Sequence, residues 1–328
     1  MKSLKIISLF LLIIIASCDS SSEPPVEKTA WKLLSAQNDN NSYYSIFFID
    51  ENNGWIAGDN AVLKKSVDGG ITWQLIQSGV TSNLHDIQFI DSQNGWACGS
   101  ENTIIKTTDS GSSWQNISVP SEKNKIFLLI KFIDKNSGWT ISNHGDLYKT
   151  TDGGNSWLLK KEFREMGAQL SVVDENNVFV CQGKFYKTSD SGANWDSSEV
   201  SMLQDFTPCD MHFVSKNNGI LTTMYIGGAY IQSCPVLFTK DGGVTWSQSG
   251  YIEKPCFRGC AMISETTGWV AAYNHIYKTT DGGYSWLSDF TLENEDMHTW
   301  DMYFLRDKIC GWIITHDGAI YKCETVEN

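Results

Sequence analysis

Short apolar stretches with alternating polar positions recur along the chain, separated by turns rich in Asp, Asn and Gly. In one unit the stretches read LHDIQFI, GWACGS, TIIKTT and SWQNISV. Alternation with a period of two residues is typical of half-buried β-strands, and Asp, Asn and Gly favour the reversals between them. No stretch with a helical period competes with this pattern. Each unit therefore predicts four short antiparallel strands.

Two motifs mark the units. The first has the form S/T-x-D-x-G-x-x-W and occurs six times. Its Asp and Trp residues are Asp68 and Trp73, Asp109 and Trp114, Asp152 and Trp157, Asp190 and Trp195, Asp241 and Trp246, and Asp281 and Trp286. The second motif, typically Gly-Trp, lies upstream and occurs in seven forms, at Trp55, Trp96, Trp139, Phe179, Ile220, Trp269 and Trp312. In the first motif the carboxylate can accept backbone N–H bonds, the Gly permits positive φ and the Trp plugs the hairpin, so these residues are interpreted as structural.

Repeated four-stranded units of roughly 40 residues predict a β-propeller. Six full units and a seventh give an all-β, seven-bladed ring. The seventh unit supplies three strands, TWDMYFL, GWIIT and AIYKC, and we expect TAWKLLS around Trp31 to be its fourth. Pairing of the first and last segments would close the ring and remove an exposed sheet edge.

The first residues predict export. MKSLK carries two positive charges, and the apolar run IISLFLLIII is shorter than the roughly 20 residues that a membrane-spanning helix needs. IASC resembles a bacterial lipobox, which implies acylation at Cys18, although cleavage as an ordinary signal peptide is the alternative. The expected organisation is a lipoprotein signal peptide over 1–17, a flexible tether over 18–28 and the propeller over 29–328. The protein would then be lipid-anchored in the bacterial cell envelope, with the membrane and leaflet undecided.

The formal net charge is −13, with 38 acidic and 25 basic residues. The Arg residues are Arg164, Arg258 and Arg306. Nucleic acid is an unsuitable partner because phosphate binding needs clustered Lys and Arg. The acidity favours a soluble exported surface.

Eight cysteines follow Cys18, and an oxidising compartment would permit disulfides. Two of them flank a predicted hairpin and could face each other across two strands, Cys310 and Cys323. Four others could form two bridges in any of three pairings, Cys209, Cys234, Cys256 and Cys260. A zinc site is the rival interpretation, but no His lies at a suitable spacing. We therefore expect no metal and no cofactor.

The S/T-x-D-x-G-x-x-W motif is the Asp-box, or BNR repeat, of sialidase-like propellers. The combined unit of strand, Gly-Trp and KTTDGG-x-S/T-W resembles the photosystem II stability and assembly factor family and its bacterial lipoprotein relatives, over residues 29–328. The resemblance implies a non-catalytic scaffold that binds or assembles another envelope protein. It names no partner, because function depends on a site and not on a fold. Those relatives look rich in Arg on one face, and this chain has three Arg.

A carbohydrate-active protein is the alternative that the same motif raises. Sialidases hold the substrate carboxylate with three Arg, yet the first blade here reads SYYSIFFID, without Arg. Xyloglucan-type glycosidases use two facing propellers, which one ring cannot supply. A glycan-binding protein or a glycoside hydrolase stays open beside the scaffold, and no catalytic residue is assigned.

Binding residues are expected on the face that carries the middle hairpins and the connections between blades. In the fifth unit the middle hairpin lengthens to TTMYIGGAYIQSCP, and loops beyond the needs of a repeat tend to carry function. Candidates in this region are Met224, Tyr225, Tyr230, Phe257 and Arg258. A second set should ring the mouth of the central channel. Its first position holds Tyr44, His85, Leu128, Cys209, Arg258 and Trp300, and the next holds Ser45, Asp86, Leu129, Asp210, Gly259 and Asp301. Simple loop decoration and packing around a narrow pore are the competing interpretations. We expect a monomeric ring.

Overall fold

The structure is a computed structural model that describes residues 29–37, 41–118, 124–163, 167–225, 235–250, 252, 256–294, 297–306 and 308–326, with the side chains of 256–258 left out. The described residues form seven four-stranded antiparallel sheets, each a blade of a β-propeller. The predicted fold class is confirmed. Two short 3-10 helices lie in connections, Asp59–Ala61 and Ser201–Gln204. Within the described ranges no helix combines the length and apolarity needed to cross a bilayer.

Each blade has an inner strand at the channel, two middle strands and an outer strand. The inner strands are β2 (Tyr43–Phe48), β6 (Leu84–Phe89), β10 (Phe127–Phe132), β14 (Gln169–Val172), β18 (Phe206–Phe213), β22 (Cys256–Met262) and β26 (Thr299–Phe304). The second strands are β3 (Gly54–Gly58), β7 (Gly95–Gly99), β11 (Gly138–Ser142), β15 (Val178–Gln182), β19 (Gly219–Tyr225), β23 (Gly268–Ala272) and β27 (Cys310–Thr315). The third strands are β4 (Leu63–Ser66), β8 (Ile104–Thr107), β12 (Asp146–Thr150), β16 (Lys184–Thr188), β20 (Val236–Thr239), β24 (His275–Thr279) and β28 (Ala319–Thr325). The outer strands are β5 (Gln74–Leu75), β9 (Gln115–Asn116), β13 (Leu158–Glu162), β17 (Asp196–Ser198), β21 (Ser247–Gln248), β25 (Leu287–Thr291) and β1 (Thr29–Ala36).

The N-terminal strand completes the last blade, as predicted. The seventh sheet has the order β1-β28-β27-β26, and Trp31 lies opposite Cys323. Trp31 also packs edge-on against Phe304, with ring centroids 6.0 Å apart. The Asp-box residue Trp114 meets Phe89 in the same way, at 5.9 Å. Trp31 therefore takes the place of an Asp-box Trp in the one blade that has no Asp-box.

Aromatic stacking joins neighbouring blades. The Trp of the Gly-Trp motif in one blade stacks face to face on the last Phe of the next inner strand, as Trp55 does on Phe89 at 3.6 Å and Trp96 on Phe132 at 3.7 Å. Trp312 of the last blade stacks on Phe48 of the first at 3.7 Å. These rings are almost fully buried. Burial of such large rings dominates core energetics, so the repeated Gly-Trp motif is a blade-joining element.

The Asp-box turn is held by its own side chains. In the second blade Asp109 accepts the Thr107 hydroxyl at 2.8 Å, the Ser113 N–H at 2.9 Å and the Ser113 hydroxyl at 2.6 Å. The Thr107 hydroxyl oxygen accepts the Gly111 N–H at 2.9 Å, and Gly111 has φ +83°. The half-buried Trp114 indole donates to the Gly111 carbonyl at 3.2 Å. These contacts satisfy the turn internally, which agrees with a structural role.

The ring has two distinct faces. One carries the turns that follow the inner strands together with the Asp-box turns, and the Gly69 N–H bonds the Asn52 carbonyl between them at 2.9 Å. We name it the Asp-box face. The other carries the hairpins between second and third strands and the connections between blades, where the Asp59 N–H bonds the Ser42 carbonyl at 2.9 Å. We name it the loop face. β1 enters at the Asp-box face, because Thr29 pairs with Thr325 while Ala36 lies beside the loop-face turn at Gly318.

The predicted Cys310–Cys323 disulfide is wrong. Cys310 lies opposite Glu324, and Cys323 lies opposite Gly311, so the two cysteines are one residue out of register. Successive side chains of a strand point to opposite sheet faces. Cys310 therefore packs in the core between the seventh and first blades and Cys323 in the core between the sixth and seventh, both as thiols.

Candidate functional site

A cavity of about 290 Å³ occupies the centre of the ring. Inner strands of every blade line it. Six of these strands have a β-bulge near their start, for example between Tyr43 and Ser45 and between Leu84 and Asp86. The bulge places two successive residues toward the channel. The positions that the sequence predicted for the channel mouth do meet here. Tyr44, His85 and Trp300 all line the cavity at its loop-face end.

The mouth residues form a continuous contact of rings across three blades. Tyr44 stacks on His85, with centroids 5.1 Å apart and planes inclined by 23°. Tyr44 also packs against Trp300 at 5.6 Å. The Tyr44 hydroxyl donates to Asp59 at 2.5 Å, and His85 Nε2 lies 3.1 Å from the Ser100 hydroxyl. These bonds fix the rings, which are only partly buried.

Further rings extend this contact along the loop face. His298 lies 6.2 Å from Trp300 and 6.4 Å from Tyr273, measured between centroids. His298 also stacks on His316 at 4.1 Å, with the planes nearly parallel at 4°. Together Tyr273, His298, His316, Trp300, Tyr44 and His85 form what we name the aromatic arc. The arc spans the sixth, seventh, first and second blades.

Three carboxylates lie just below the mouth, and each bridges two blades. Asp86 accepts its neighbour's N–H from Ile87 at 3.0 Å and the N–H of Ile130, in the next blade, at 2.8 Å. Asp210 accepts the N–H of Cys260 in the next blade at 2.7 Å. Such bonds hold adjacent inner strands together at the bulge.

Asp301 makes the same kind of bridge between the seventh and first blades. It accepts the Met302 N–H at 2.9 Å and, across to the first blade, the Ile46 N–H at 2.9 Å. In the second blade Gln88 makes a similar bridge two residues after Asp86, where its side-chain amide donates to the Phe132 carbonyl of the next blade at 3.0 Å. The carboxylates at the channel are thus part of the framework.

One lysine enters the channel among the described lining residues. Lys131 donates to Asp86 at 2.9 Å. Burial lowers the pKa of Lys131, but the charge and hydrogen bond of Asp86 outweigh burial and leave the pKa above its ordinary value. The described charged groups at the cavity are therefore three carboxylates and one ammonium.

Burial also shifts the pKa values of other titratable groups in the channel. Asp301 lies deep in the ring but keeps some contact with channel solvent, and burial, reinforced by Asp86 and Asp210, raises the pKa of Asp301 to about 7. Burial also raises the pKa of Asp210. Burial, followed by Lys131 and Arg306, lowers the pKa of His212 to about 4, so His212 is neutral near pH 7.

Of the candidates around the long hairpin of the fifth unit, the two whose side chains are described do not line the cavity. Met224 and Tyr225 lie at the end of β19, outside the cavity lining, with Met224 exposed and Tyr225 packed against Phe206 at 5.7 Å. Phe257 and Arg258 lie on β22, but their side chains are outside the described part of the chain.

Several other predicted residues lie outside the described part of the chain. Cys18, Tyr230 and Cys234 are outside the described residues, as is the side chain of Cys256, so the lipid anchor and the bridges involving these cysteines remain predictions. Cys209 is half-buried on β18, and Cys260 is buried on β22. In the described ranges no group of three or more His, Cys, Asp and Glu side chains is placed to hold a metal ion.

Part of the chain matches a known protein family. Residues 72–201 match the family model described as Photosynthesis system II assembly factor YCF48. The chain is an Asp-box propeller that resembles the photosystem II assembly factors. One curated Ycf48 relative, the photosystem II assembly lipoprotein Ycf48 of Prochlorococcus marinus (strain MIT 9312), is 33% identical over 69 residues. That match covers 21% of this chain and 20% of the relative.

Solved Ycf48 structures share the architecture. A structure named YCF48 bound to D1 peptide superposes with a TM-score of 0.72 and 19% identity, covering 92% of this chain and 98% of that one. YCF48 from Cyanidioschyzon merolae gives a TM-score of 0.73 and 17% identity, covering 90% and 99%. At this level of identity the Ycf48 likeness establishes the fold.

Sequence reasoning missed part of the site. His298 and His316 were not recognised as arc members, because they lie in a connection and in a turn outside the repeat motifs. Lys131 was also missed, since its position in the repeat holds unrelated residues in other blades, such as Gln88 and His212. Extending the alignment of the inner strands by two positions would have revealed Lys131 as a charged residue facing the channel.

Proposed function

We propose that this protein is a non-catalytic scaffold of the bacterial cell envelope that binds a protein partner through the loop face and the channel mouth. The observation that carries the proposal is the aromatic arc, which the repeat does not need. Propeller packing uses the Gly-Trp and Asp-box rings between the blades, whereas the arc rings lie partly exposed at one end of the channel. Rigid aromatic rings of this kind are typical anchors of protein interfaces.

The state of the channel carboxylates supports binding over hydrolysis. A glycoside hydrolase needs one carboxyl to donate a proton and a second to attack or to activate water. Here both oxygens of Asp86 and of Asp301 accept backbone N–H groups, and one of the two bonds of each residue joins neighbouring blades. Using either residue in acid–base chemistry would disrupt the ring framework.

The names of similar proteins point in the same direction. The matched family and the curated relative are assembly factors, and one superposed structure is named as bound to a D1 peptide. A scaffold that recognises a segment of another protein fits this group. The identity of the partner does not carry over, because the curated match covers a fifth of each chain.

The lipid anchor at Cys18 is part of the proposal and suggests an orientation. β1 enters the ring at the Asp-box face, where Thr29 pairs with Thr325. A tether over 18–28 can span at most roughly 40 Å when fully extended. The anchor would therefore keep the Asp-box face toward the membrane and leave the aromatic arc turned away from it, available to a partner.

Affinity capture tests the scaffold directly. The tagged full chain is recovered from native membranes with a reversible crosslinker, beside the Tyr44→Leu variant and a Tyr284→Leu control on the Asp-box face, where Tyr284 is 60% exposed. We expect a co-purifying protein that Tyr44→Leu loses and Tyr284→Leu retains. A glycan array and a chromogenic glycoside panel run on the same preparations. Glycoside turnover, or glycan binding at the arc without a protein partner, would replace the scaffold with the carbohydrate alternative.

A further inference from the structure

The exposed apolar side chains of the Asp-box turns are concentrated on one side of the ring. All six turns lie in the described ranges, and in each the residue directly after the motif Gly is exposed. In blade order this position holds Ile71, Ser112, Asn155, Ala193, Val244 and Tyr284. The large apolar side chains at it, in the first, fifth and sixth blades, are 58–60% exposed. The second, third and fourth blades fold the same turn with a polar or small residue, so the turn does not require an apolar one.

Two further exposed apolar residues extend this side of the ring. Val67 lies in the Asp-box of the first blade, at a position that is Thr, Ser or Lys in the other five boxes. Val326 follows β28 in the seventh blade, next to Thr325, which pairs with Thr29 at the Asp-box face. The fifth, sixth, seventh and first blades are consecutive around the ring. They carry the group that we name the apolar sector: Val244, Tyr284, Val326, Val67 and Ile71.

The start of the N-terminal strand indicates what this sector faces. β1 begins at Thr29 on the Asp-box face of the seventh blade, between the sixth and first blades. The residues before it, 18–28, reach at most roughly 40 Å when fully extended. An acyl group on Cys18 would hold a bilayer within that distance of the seventh blade. The third and fourth blades lie on the opposite side of the ring, so the bilayer would be nearest the apolar sector.

The polar groups around the sector suit the headgroup region of a bilayer. Asp68 accepts the Thr72 N–H at 2.9 Å and the Thr72 hydroxyl at 2.6 Å, and Lys308 on the same face donates to Glu51 at 2.8 Å. Such partners reduce the cost of moving these charges out of bulk water. The Tyr284 side chain combines an apolar ring with a hydroxyl, and tyrosine is enriched at membrane–water interfaces. The formal net charge of −13 gives no attraction to anionic lipids, so the contact depends on the apolar side chains.

We propose that the apolar sector rests on the surface of a lipid bilayer, with Ile71, Val244 and Tyr284 in the interfacial region. The inference rests on the lipid anchor of the proposed function and goes beyond it. An anchor on a flexible tether alone would leave the ring free to turn relative to the membrane. Contact through the sector gives the ring one orientation, in which the loop face and its aromatic arc point away from the bilayer.

Nitroxide quenching on vesicles tests this contact. The acylated full chain is reconstituted in phosphatidylcholine vesicles with or without lipid that carries a nitroxide near the top of one acyl chain. A prodan-type fluorescent amino acid replaces one residue at a time, at position 71, 244 or 284 in the sector and at position 155 or 158 in the third blade. Asn155 is the Asp-box equivalent of Ile71, and Leu158 is an exposed apolar residue outside the sector. Flotation and thermal melting check that each protein is bound and folded.

We expect the three sector positions to be quenched at least about threefold more strongly than positions 155 and 158, because interfacial side chains enter the bilayer by about 5–10 Å. Equal quenching at all five positions, or none in the sector, would overturn the inference. So would a full chain that does not float with the vesicles. Sector probes that are unquenched but become crosslinked to a second copy of the chain would assign the surface to a dimer instead.

A pair of double variants tests whether the apolar side chains cause the contact. With the fluorescent residue at position 284, the variant Ile71→Asn/Val244→Asn removes the apolar side chains in the neighbouring turns. The matched control, Leu158→Asn/Leu159→Asn, removes two exposed leucines of the third blade. We expect quenching at 284 to fall about threefold in the first variant and to stay unchanged in the second, while the anchor keeps both on the vesicles. Unchanged quenching in the folded first variant, or an equal loss in both, would contradict the inference.

The outcome for the scaffold is separate, because affinity capture reads it at Tyr44. Leucine at position 284 keeps an apolar side chain in the sector, so Tyr284→Leu stays a valid control in that capture. If a protein is captured through Tyr44 while the sector is not quenched, membrane contact fails and the scaffold stands. If the sector is quenched while no protein is captured, the scaffold fails and membrane contact stands.

Discussion

The Asp289 carboxylate in the sixth blade accepts the indole N–H of Trp31, on the N-terminal strand, at 2.8 Å. The same oxygen accepts the indole N–H of Trp269 at 2.9 Å, and the Thr29 hydroxyl donates to the other oxygen. In two other blades a Gly-Trp indole donates to a carbonyl in the next blade's Asp-box, Trp96 to Gly153 at 3.1 Å and Trp312 to Gly69 at 2.8 Å. The seventh blade has no Asp-box, so Asp289 supplies the acceptor that Trp269 would otherwise lack.

Replacing Asp289 should weaken the attachment of β1 to the sixth blade. Asp289→Ala would leave two indole N–H groups and one hydroxyl without their acceptor, and each buried orphan costs about 1–3 kcal/mol. We expect a loss of about 2 kcal/mol or more in the free energy of unfolding, measured by urea denaturation. The matched control is Asp196→Ala, an exposed aspartate on the outer strand of the fourth blade. Equal stability of the two variants would show that Asp289 does not hold β1.

The two kinds of tryptophan should differ in their contribution to stability. Trp96 is fully buried, stacks on Phe132 and donates to Gly153, whereas Trp114 is half-buried and meets Phe89 edge-on. We expect Trp96→Leu to cost about 3 kcal/mol of unfolding free energy, and Trp114→Leu about half of that. Chemical denaturation of both variants measures the difference. A larger loss for Trp114→Leu would contradict the assignment of blade joining to the Gly-Trp motif.

The Asp-box carboxylates should contribute to acid stability. The Ser113 hydroxyl, the Ser113 N–H and the Thr107 hydroxyl lower the pKa of Asp109 from 3.8 to about 2. A pKa lowered by folding stabilises the protein above about pH 4 and loses this effect as the pH falls toward 2. Asp109→Asn should therefore melt below the wild type at pH 5, with the gap narrowing toward pH 2.5. Thermal melts across that range check this, and a gap that widens on acidification would refute it.

Asp301 should produce the opposite pH dependence. Its pKa is raised to about 7, so folding favours the protonated form and stability falls as the pH rises through 7. The groups around it are Asp86, Asp210, Lys131 and the Ile46 N–H. Relative to the wild type, Asp301→Asn should be better tolerated at pH 8.5 than at pH 5.5, by about 2 °C or more in Tm. A difference between variant and wild type that does not change with pH would contradict a protonated Asp301.

The cysteines of the last hairpin should not be linked to each other. Cys310 and Cys323 belong to cores on opposite faces of the seventh blade. We expect alkylation of the denatured, unreduced protein, followed by peptide mass analysis, to give both residues as modified thiols. A peptide pair crosslinked through Cys310 and Cys323 would mean that the register of β27 and β28 differs from the one described.

The fold could be predicted from the sequence alone because the motifs of the repeat occur many times. Six Asp-boxes, with Asp109 and its equivalents, and seven upstream motifs specify the hairpins and the blade number. Trp31 could be assigned to the seventh blade because it resembles an Asp-box Trp. The register of neighbouring strands was not accessible at single-residue precision, and a shift by one residue moves a side chain to the other face. That is why the Cys310–Cys323 pairing failed.

The site was only partly accessible from the sequence. Inner-strand alignment brought Tyr44, His85 and Trp300 together, because the repeat fixes where each inner strand begins. His298 and His316 follow no repeat position, and their stacking depends on how a connection folds over a turn. Asp289 was also missed. Asp289 has this role because the following blade, the seventh, has no Asp-box. No equivalent residue in another blade could have indicated it.

Site-specific photocrosslinking from the two faces of the ring tests the scaffold most directly. p-Benzoylphenylalanine replaces Tyr44 at the channel mouth or Tyr284 on the Asp-box face, and native membranes are irradiated. We expect a discrete crosslinked protein from position 44 and none from position 284. A crosslink confined to position 284, or no protein crosslink from position 44, would contradict a partner bound at the channel mouth.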